Sequence, residues 1–285
     1  MTQTWFVTGS SRGLGRAVVE AALDAGHQVV ATARTPSRLD DLVARHGDRI
    51  HPVALDVTDF EQAQRAVRSG LEVFGRYDVV VNNAGYGDMA AVEDVTLDDF
   101  RAQIDTNFYG VVHVTKAVLP TLREQGGGHI FQISSIGGRL ATVGMSAYQS
   151  AKWAVGGFSS VLAQEVAPLG IKVTVVEPGG MRTDWAGPSM TVPPVSDAYQ
   201  QTVGAFAEAV RSGSGHEETD PCRVAHVLLD LAHRDDAPVR LVLGAQAYQY
   251  VEAAARVQAE SDARWRPVSE SVSDRRSSVG PWLRD

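Results

Sequence analysis

Seven apolar runs punctuate the chain: Trp5 to Thr8, His27 to Ala33, Ile50 to Leu55, Tyr77 to Val81, Ile130 to Ile133, Ile171 to Val176 and Val239 to Leu243. Between them lie stretches whose apolar residues recur at helical spacing, among them the stretch ending near Ala25, Ser37 to Arg45, Leu97 to Leu119 and Ala147 to Ala167. Strands that alternate with helices imply right-handed crossovers into one parallel sheet. The nearly continuous apolar character of Tyr77-Asp-Val-Val-Val81 suits a strand covered on both faces. The pattern therefore predicts an α/β fold, a doubly wound parallel sheet of about seven strands with helices on both faces.

Such sheets bind ligands beyond the carboxyl ends of their strands. Gly9, Arg34, Asp56, Asn83, Ser135 and Pro178 all fall there. After the first run comes Gly9-Ser-Ser-Arg-Gly-Leu-Gly15 and then a helix, so backbone N–H groups and the helix dipole would offer an anion site. Gly9 would permit the tight turn, Gly13 the close approach of a pyrophosphate, and Gly15 the close packing of helix on strand. Its spacing, Gly-x-x-x-Gly-x-Gly, differs from the general dinucleotide fingerprint, and a loop that needs glycine for geometry alone would look the same.

At the end of the second run, where an acid would pair with a free ribose 2′-hydroxyl, stand Ala33 and Arg34, with Arg12 in the adjacent glycine turn. Two arginines and no acid favour NADP(H) over NAD. Asp56, beside Val57, could meet an adenine amino group or could cap the next helix together with Thr58 and Asp59. Asn82-Asn-Ala-Gly85 has small residues that let backbone approach a flat ring, and its asparagines could tie strand ends together. Asn107 sits within an apolar helical stretch and needs a partner there, either structural or a held water.

Tyr148 and Lys152 are four residues apart, which on a helix stacks phenol and ammonium on one face. An ammonium beside a phenol favours the phenolate and brings it toward general acid/base work. Taken alone such a pair is more often a solvated helix pair. Ser135, thirteen residues earlier across a glycine-containing loop, could turn its hydroxyl to the same point, with Ser134 as its rival.

Length and composition narrow the class. The 285 residues suffice for one core, with 44% apolar and 21% charged residues, as in globular proteins. A net charge of −8 argues against a nucleic-acid surface. The single cysteine, Cys222, suggests a reducing compartment, and the absence of a basic leader or an 18-residue apolar run predicts a cytoplasmic chain with no membrane span. No metal-ligand spacing occurs among the eight histidines. We expect one domain over 1–260, a lid loop at about 184–197 and a polar tail, 261–285, either loosely packed or used at a subunit contact.

Thr8-Gly-Ser-Ser-Arg-Gly-Leu-Gly15, Asp56-Val57, Asn82-Asn-Ala-Gly85, Asn107, Ser135, Tyr148-x-x-x-Lys152 and Pro178-Gly179-x-x-x-Thr183 together resemble, in order and spacing, the short-chain dehydrogenase/reductase family. The Ala-Arg-Thr-Pro-Ser-Arg run at 33–38 and Asn83-Ala-Gly-Tyr-Gly87 are similar to its bacterial hydroxysteroid and retinol dehydrogenase-like branch. That resemblance implies a Rossmann-type fold and an NADP(H)-dependent exchange between a carbonyl and an alcohol. Tyr148 would be the general acid/base, Ser135 would bind the substrate oxygen, Lys152 would lower the tyrosine pKa and hold the nicotinamide ribose, and Asn107 would hold a relay water. Cofactor contacts would come from Gly9, Ser11, Arg12, Gly13, Leu14, Gly15, Arg34, Asp56, Val57, Asn83, Ala84 and Gly85, then from Tyr148, Lys152, Pro178, Gly179, Met181 and Thr183.

Tyr86, Leu140, Val143, Met145, Trp185 and Met190 are expected as pocket walls for a substrate with an apolar body. Arg182, unusual beside a nicotinamide, would face an acidic substrate group or solvent. Assembly as a homodimer or homotetramer is implied by the resemblance alone. The alternatives are an NADP(H)-binding regulator without turnover and an epimerase or dehydratase, the latter disfavoured by the short chain after the sixth strand.

Overall fold

The computed structural model describes residues 2–183, 185, 190–213 and 217–273. Its strands are β1 (Thr4–Val7), β2 (Gln28–Ala33), β3 (Ile50–Ala54), β4 (Val79–Asn82), β5 (Gly128–Ile133), β6 (Ile171–Pro178) and β7 (Arg240–Leu243). All pair in parallel in the order β3-β2-β1-β4-β5-β6-β7. The order reverses at β1, and the crevice beyond β1 and β4 is where ligands of such sheets bind.

Side-chain alternation explains why the strand sequences read as unbroken apolar runs. Trp5, Val7, Val29, Ala31, Val79 and Val81 point into one core, with helices α1 (Gly13–Asp24) and α8 (Pro221–Ala232). Phe6, Val30, Val80 and Ile130 point into the other, with α3 (Phe60–Phe74), α5 (Gly110–Gln125) and α6 (Ser146–Val166). Strands β1 to β6 each feed both cores, so both parities of their positions favour apolar residues.

Local signals set the helix ends. Asp59 accepts a hydrogen bond from the Gln62 amide at 3.0 Å and caps α3, which stops at Gly75 in the left-handed region, φ 76°. Asp220 caps α8 ahead of Pro221 in the same way. The remaining helices are α2 (Asp40–His46), α4 (Leu97–Ile104), α7 (Ala205–Gly213) and α9 (Ala245–Glu270).

Two elements depart from the sequence expectation. The stretch read as one helix from Leu97 to Leu119 is α4 and α5, joined by a π-turn at Asp105–Tyr109 that carries Asn107, and α5 runs on past Pro120. The tail expected from 261 is helical through Glu270, with 274–285 outside the described residues. Beyond Ala254 this helix is exposed, and what favours it is local: Ala, Gln, Glu and Arg content and Gln258–Asp262 and Arg266–Glu270 contacts one turn apart. Apolar periodicity toward the core, the signal sought in the sequence, is absent there for that reason.

Gly70 on α3 shows how tightly the second core closes. The Tyr77 hydroxyl donates to the Val67 carbonyl at 2.8 Å, and a methyl group at Gly70 would lie 2.1 Å from the Tyr77 hydroxyl oxygen and 2.6 Å from Val30. Gly70→Ala should therefore lower unfolding free energy by about 1–3 kcal/mol through overpacking, despite the better helix propensity of alanine. Urea unfolding of both proteins checks this; an unchanged or higher midpoint would contradict it.

Candidate active site

The carboxyl ends of the strands open into a cavity of about 860 Å³. Its floor is built by contacts between the ends of β1 and β4. The Thr8 hydroxyl accepts from the Asn83 and Ala84 amides at 2.9 and 3.0 Å, and the Asn83 side-chain amide donates to the Thr8 and Gly9 carbonyls at 2.9 and 3.2 Å. Asn83 therefore ties two strand ends together. Gly9 has φ 68°, and a methyl there would lie 2.9 Å from the Ala84 Cα. At Gly15 a methyl would lie 2.3 Å from the Gly9 carbonyl oxygen. Gly15 is thus the close-packing glycine, but it packs on the turn itself and does not line the cavity.

Gly9, Ser11, Arg12, Gly13, Leu14 and Arg34 line one end of the cavity. No side chain caps α1, and its first turn holds no acid, so the helix N-terminus offers free amides and an uncompensated dipole. Arg12 and Arg34 are exposed, and neither has a hydrogen bond or ion pair within the described residues. Asp56 and Val57 line the wall between, but Asp56 already accepts from the Thr58 amide and hydroxyl at 3.0 and 2.8 Å. Capping of α3 falls to Asp59, so Asp56 keeps only its second oxygen for a ligand.

Ser135, Tyr148 and Lys152 line the same cavity, as do Ala84, Gly85, Pro178, Gly179, Met181 and Thr183, the last within 3.7 Å of where a methyl at Gly13 would lie. The Lys152 ammonium is 4% exposed, donates to the Ile133 carbonyl at 2.8 Å and lies 5.6 Å from the centre of the Tyr148 ring. Burial pushes its pKa down to about 8. Burial likewise pushes the Tyr148 phenol up to about 12, against a smaller lowering by the Ser135 hydroxyl. The expected lowering of the tyrosine by Lys152 is not what the structure gives: burial sets the direction, and the lowering comes from Ser135. Ser134 is spent on α6, donating to the Lys152 carbonyl at 3.2 Å, which leaves Ser135 as the hydroxyl beside the phenol.

Asn107 is fully buried, and its side chain is committed. It donates to the Tyr86 and Gln103 carbonyls, both at 2.8 Å, and accepts from the Tyr86 amide at 3.2 Å. Gln103, one helical turn earlier, accepts from the Asp88 amide at 2.9 Å. Its signal in the sequence was a second amide four residues from Asn107.

Of the expected pocket walls, Tyr86 and Trp185 line the cavity, and the Trp185 ring centre is 5.0 Å from that of Tyr148. Met145 and Met190 pack instead in a small cluster behind Tyr148 with Met89, Val192, Val203 and Val210. Leu140 does not line the cavity, and Val143 is exposed. Asp184 and 186–189 of the expected lid lie outside the described residues. Ala102, Thr106, Ile136, Val210 and Glu217 line the cavity without having been singled out in the sequence. Arg182 turns away, donating to the Glu217 and Glu218 carbonyls at 3.0 and 3.2 Å and pairing with Asp220.

A buried carboxylate supports this end from below. Glu177, the residue before Pro178, is fully buried between Arg139, 2.5 Å away, and Arg240. Arg139 belongs to the loop after Ser135, so the pair fastens the serine loop to the end of β6. Gly156 of α6 makes room for the Arg240 guanidinium, which a methyl there would approach to 2.9 Å. Among the described residues no group of three or more His, Cys, Asp or Glu side chains could hold a metal.

A family model described as short chain dehydrogenase matches residues 3–191. The chain is 59% identical over 270 residues to Oxidoreductase BOA17 of Botryotinia fuckeliana, covering 94% of this chain and 98% of that one. Its structure is similar to that of a short-chain dehydrogenase from Streptomyces avermitilis, with a TM-score of 0.90, 37% identity and coverage of 96% and 100%. It is also similar to a Burkholderia cenocepacia short chain dehydrogenase in complex with NADP, with a TM-score of 0.73, 25% identity and coverage of 92% and 97%. The chain belongs to the short-chain dehydrogenase/reductase family and is an oxidoreductase of that family, whose enzymes use a nicotinamide cofactor. The free amides of α1, the turn with no room for a side chain at Gly9 or Gly15, and the two arginine side chains without partners among the described residues suit a dinucleotide.

Glu177→Gln removes one charge from a buried cluster and leaves two guanidiniums facing a neutral amide. It should cost about 3 kcal/mol, the low end for breaking a buried pair, because both arginines keep contact with water. Urea unfolding at pH 7 reads this out. A loss below about 0.5 kcal/mol would mean that the cluster contributes no more than surface pairs do.

Proposed function

We propose that the protein interconverts a ketone or aldehyde and an alcohol by hydride transfer with NADP(H). The observation that carries this reading is the convergence of Ser135 with the buried Tyr148 and Lys152 on the wall of a cavity that Pro178, Gly179, Met181 and Thr183 also line. When bound, the cofactor supplies or accepts a hydride at nicotinamide C4. In reduction, Ser135 donates a hydrogen bond to the carbonyl oxygen, and Tyr148 gives its phenolic proton to that oxygen as negative charge develops. In oxidation the same phenolate accepts the alcohol proton.

Lys152 stands within reach of both the tyrosine ring and the ribose side of the site, and its positive charge stabilises the phenolate left after proton transfer. The Asn107 side chain gives both N–H donors to carbonyls and keeps only one lone pair on Oδ1, so a relay water would rely on backbone as well. The π-turn supports this, because one inserted residue leaves a carbonyl without an intrahelical partner.

Gly9, Ser11, Gly13 and Leu14 would hold the pyrophosphate at the α1 N-terminus, and Arg12 and Arg34 the ribose phosphate. Asp56 and Val57 would border the adenine; Pro178, Gly179, Met181 and Thr183 would hold the carboxamide. Tyr86, Ala102, Ile136, Trp185 and Val210 give the remaining space apolar walls, which supports a substrate with an apolar body.

NADPH consumption against a panel of aldehydes, aromatic ketones and steroid-like ketones tests this reading. Tyr148→Phe should lower kcat/KM by about 10²–10⁴-fold, the usual worth of a general acid. Arg34→Ala should raise the KM for NADPH about tenfold or more, the loss of one charge-assisted contact, and leave that for NADH nearly unchanged. Preference of the unaltered protein for NADH, or full activity of Tyr148→Phe, would contradict it.

A further inference from the structure

Beyond Ala254 the long helix α9 leaves the body of the protein, and every described residue from 255 to 273 is exposed. An isolated helical segment of this length is marginal in water. It nonetheless carries large apolar side chains in the open: Tyr250, Val257, Trp265 and Val268, with Trp265 59% exposed, and Val272 just past its end. With Ala254 and Ser261 these residues follow the spacing 4-3-4-4-3-4. That is an 11-residue repeat, close enough to the helical period to keep one stripe on one side.

The spacing is the same read in either direction about Ser261. In an antiparallel pair of these helices related by a twofold axis at Ser261, Val257 meets Trp265, Ala254 meets Val268 and Tyr250 meets Val272. An isologous contact demands this self-complementarity. The flanking charges obey the same symmetry. Glu260 and Arg264 lie on one flank of the stripe, one turn apart, so in that register each Glu260 faces the other chain's Arg264. Among the described residues neither has an ion pair or hydrogen bond within its own chain, whereas Arg266 and Glu270, away from the seam, pair with each other. The helix carries Glu252, Glu260, Asp262 and Glu270 against Arg256, Arg264 and Arg266, a near balance that suits a like chain better than an anionic surface.

We propose that the exposed face of α9 docks on the same face of a second copy of this chain, antiparallel and with its twofold axis at Ser261. The assignment does not depend on the reaction proposed above.

The test uses the full chain with Cys222→Ser as background, sedimentation for mass, and oxidative cross-linking for register. Ser261→Cys should cross-link to itself. A mixture of Ala254→Cys chains with tagged Val268→Cys chains should give the mixed dimer, which a parallel pair would not. Val257→Glu with Trp265→Glu should lower the sedimenting mass twofold while thermal unfolding of the body still shows a cooperative transition. Glu260→Arg should weaken association roughly tenfold, and adding Arg264→Glu should restore it. A Ser261→Cys protein that stays uncross-linked, an unchanged mass in the double glutamate variant, or a monomer that binds anionic phospholipid vesicles through α9 would each overturn the proposal.

Discussion

The desolvation of the Lys152 ammonium is the constraint around which the site is built. A cation that has lost nearly all its water and holds one carbonyl in exchange is unfavourable unless the surroundings fix it in place. Those surroundings are a parallel sheet with a filled core on each face, which places α6 against the ends of β5 and β6 and leaves the lysine open only to the cavity. The same exclusion of water acts on Tyr148 in the opposite chemical sense, keeping the proton on the phenol. Burial therefore drives the two groups apart in pKa, to about 12 for the tyrosine and about 8 for the lysine, and each comes to favour its neutral form. The phenol thus keeps its proton at rest and gives it up only when negative charge develops beside it.

Close approach of backbone is the second requirement, and the glycines and short polar side chains of the strand ends meet it. Thr8, Asn83 and Gly15 exchange contacts among themselves so that the floor of the cavity presents backbone and not side chains. Glu177 performs the analogous task below the serine loop with charge in place of size, since Arg139 and Arg240 come from different elements and meet only on its carboxylate. The two ends of the cavity are thus held by different physics. Hydrogen-bonded close packing forms the dinucleotide turn, and a buried ion cluster steadies the reactive end.

Much of the fold was legible because a doubly covered parallel sheet forces both parities of each strand to be apolar, and the seven runs mark the seven strands to within a few residues. The residues that line the cavity were legible where their backbone position is dictated by a strand end. Less was legible where side-chain direction decides. Met145 and Met190 pack behind Tyr148 instead of facing the cavity, and Arg182 finds its partners at 217–220, far along the chain. The π-turn at Asn107 interrupts a helix whose apolar period continues through it, so periodicity passes over it. The helix beyond Ala254 was read as tail because its apolar residues face no core of its own chain.

The most direct measurement is the ionisation of Lys152 itself, followed by ¹⁵N and ¹³C chemical shifts of the lysine side-chain ends, with Lys152→Met to assign the signal. Burial should set a titration midpoint near pH 8. A midpoint near the ordinary lysine value of about 10.5 would mean that the ammonium is hydrated. It would remove the physical basis for pairing it with Tyr148.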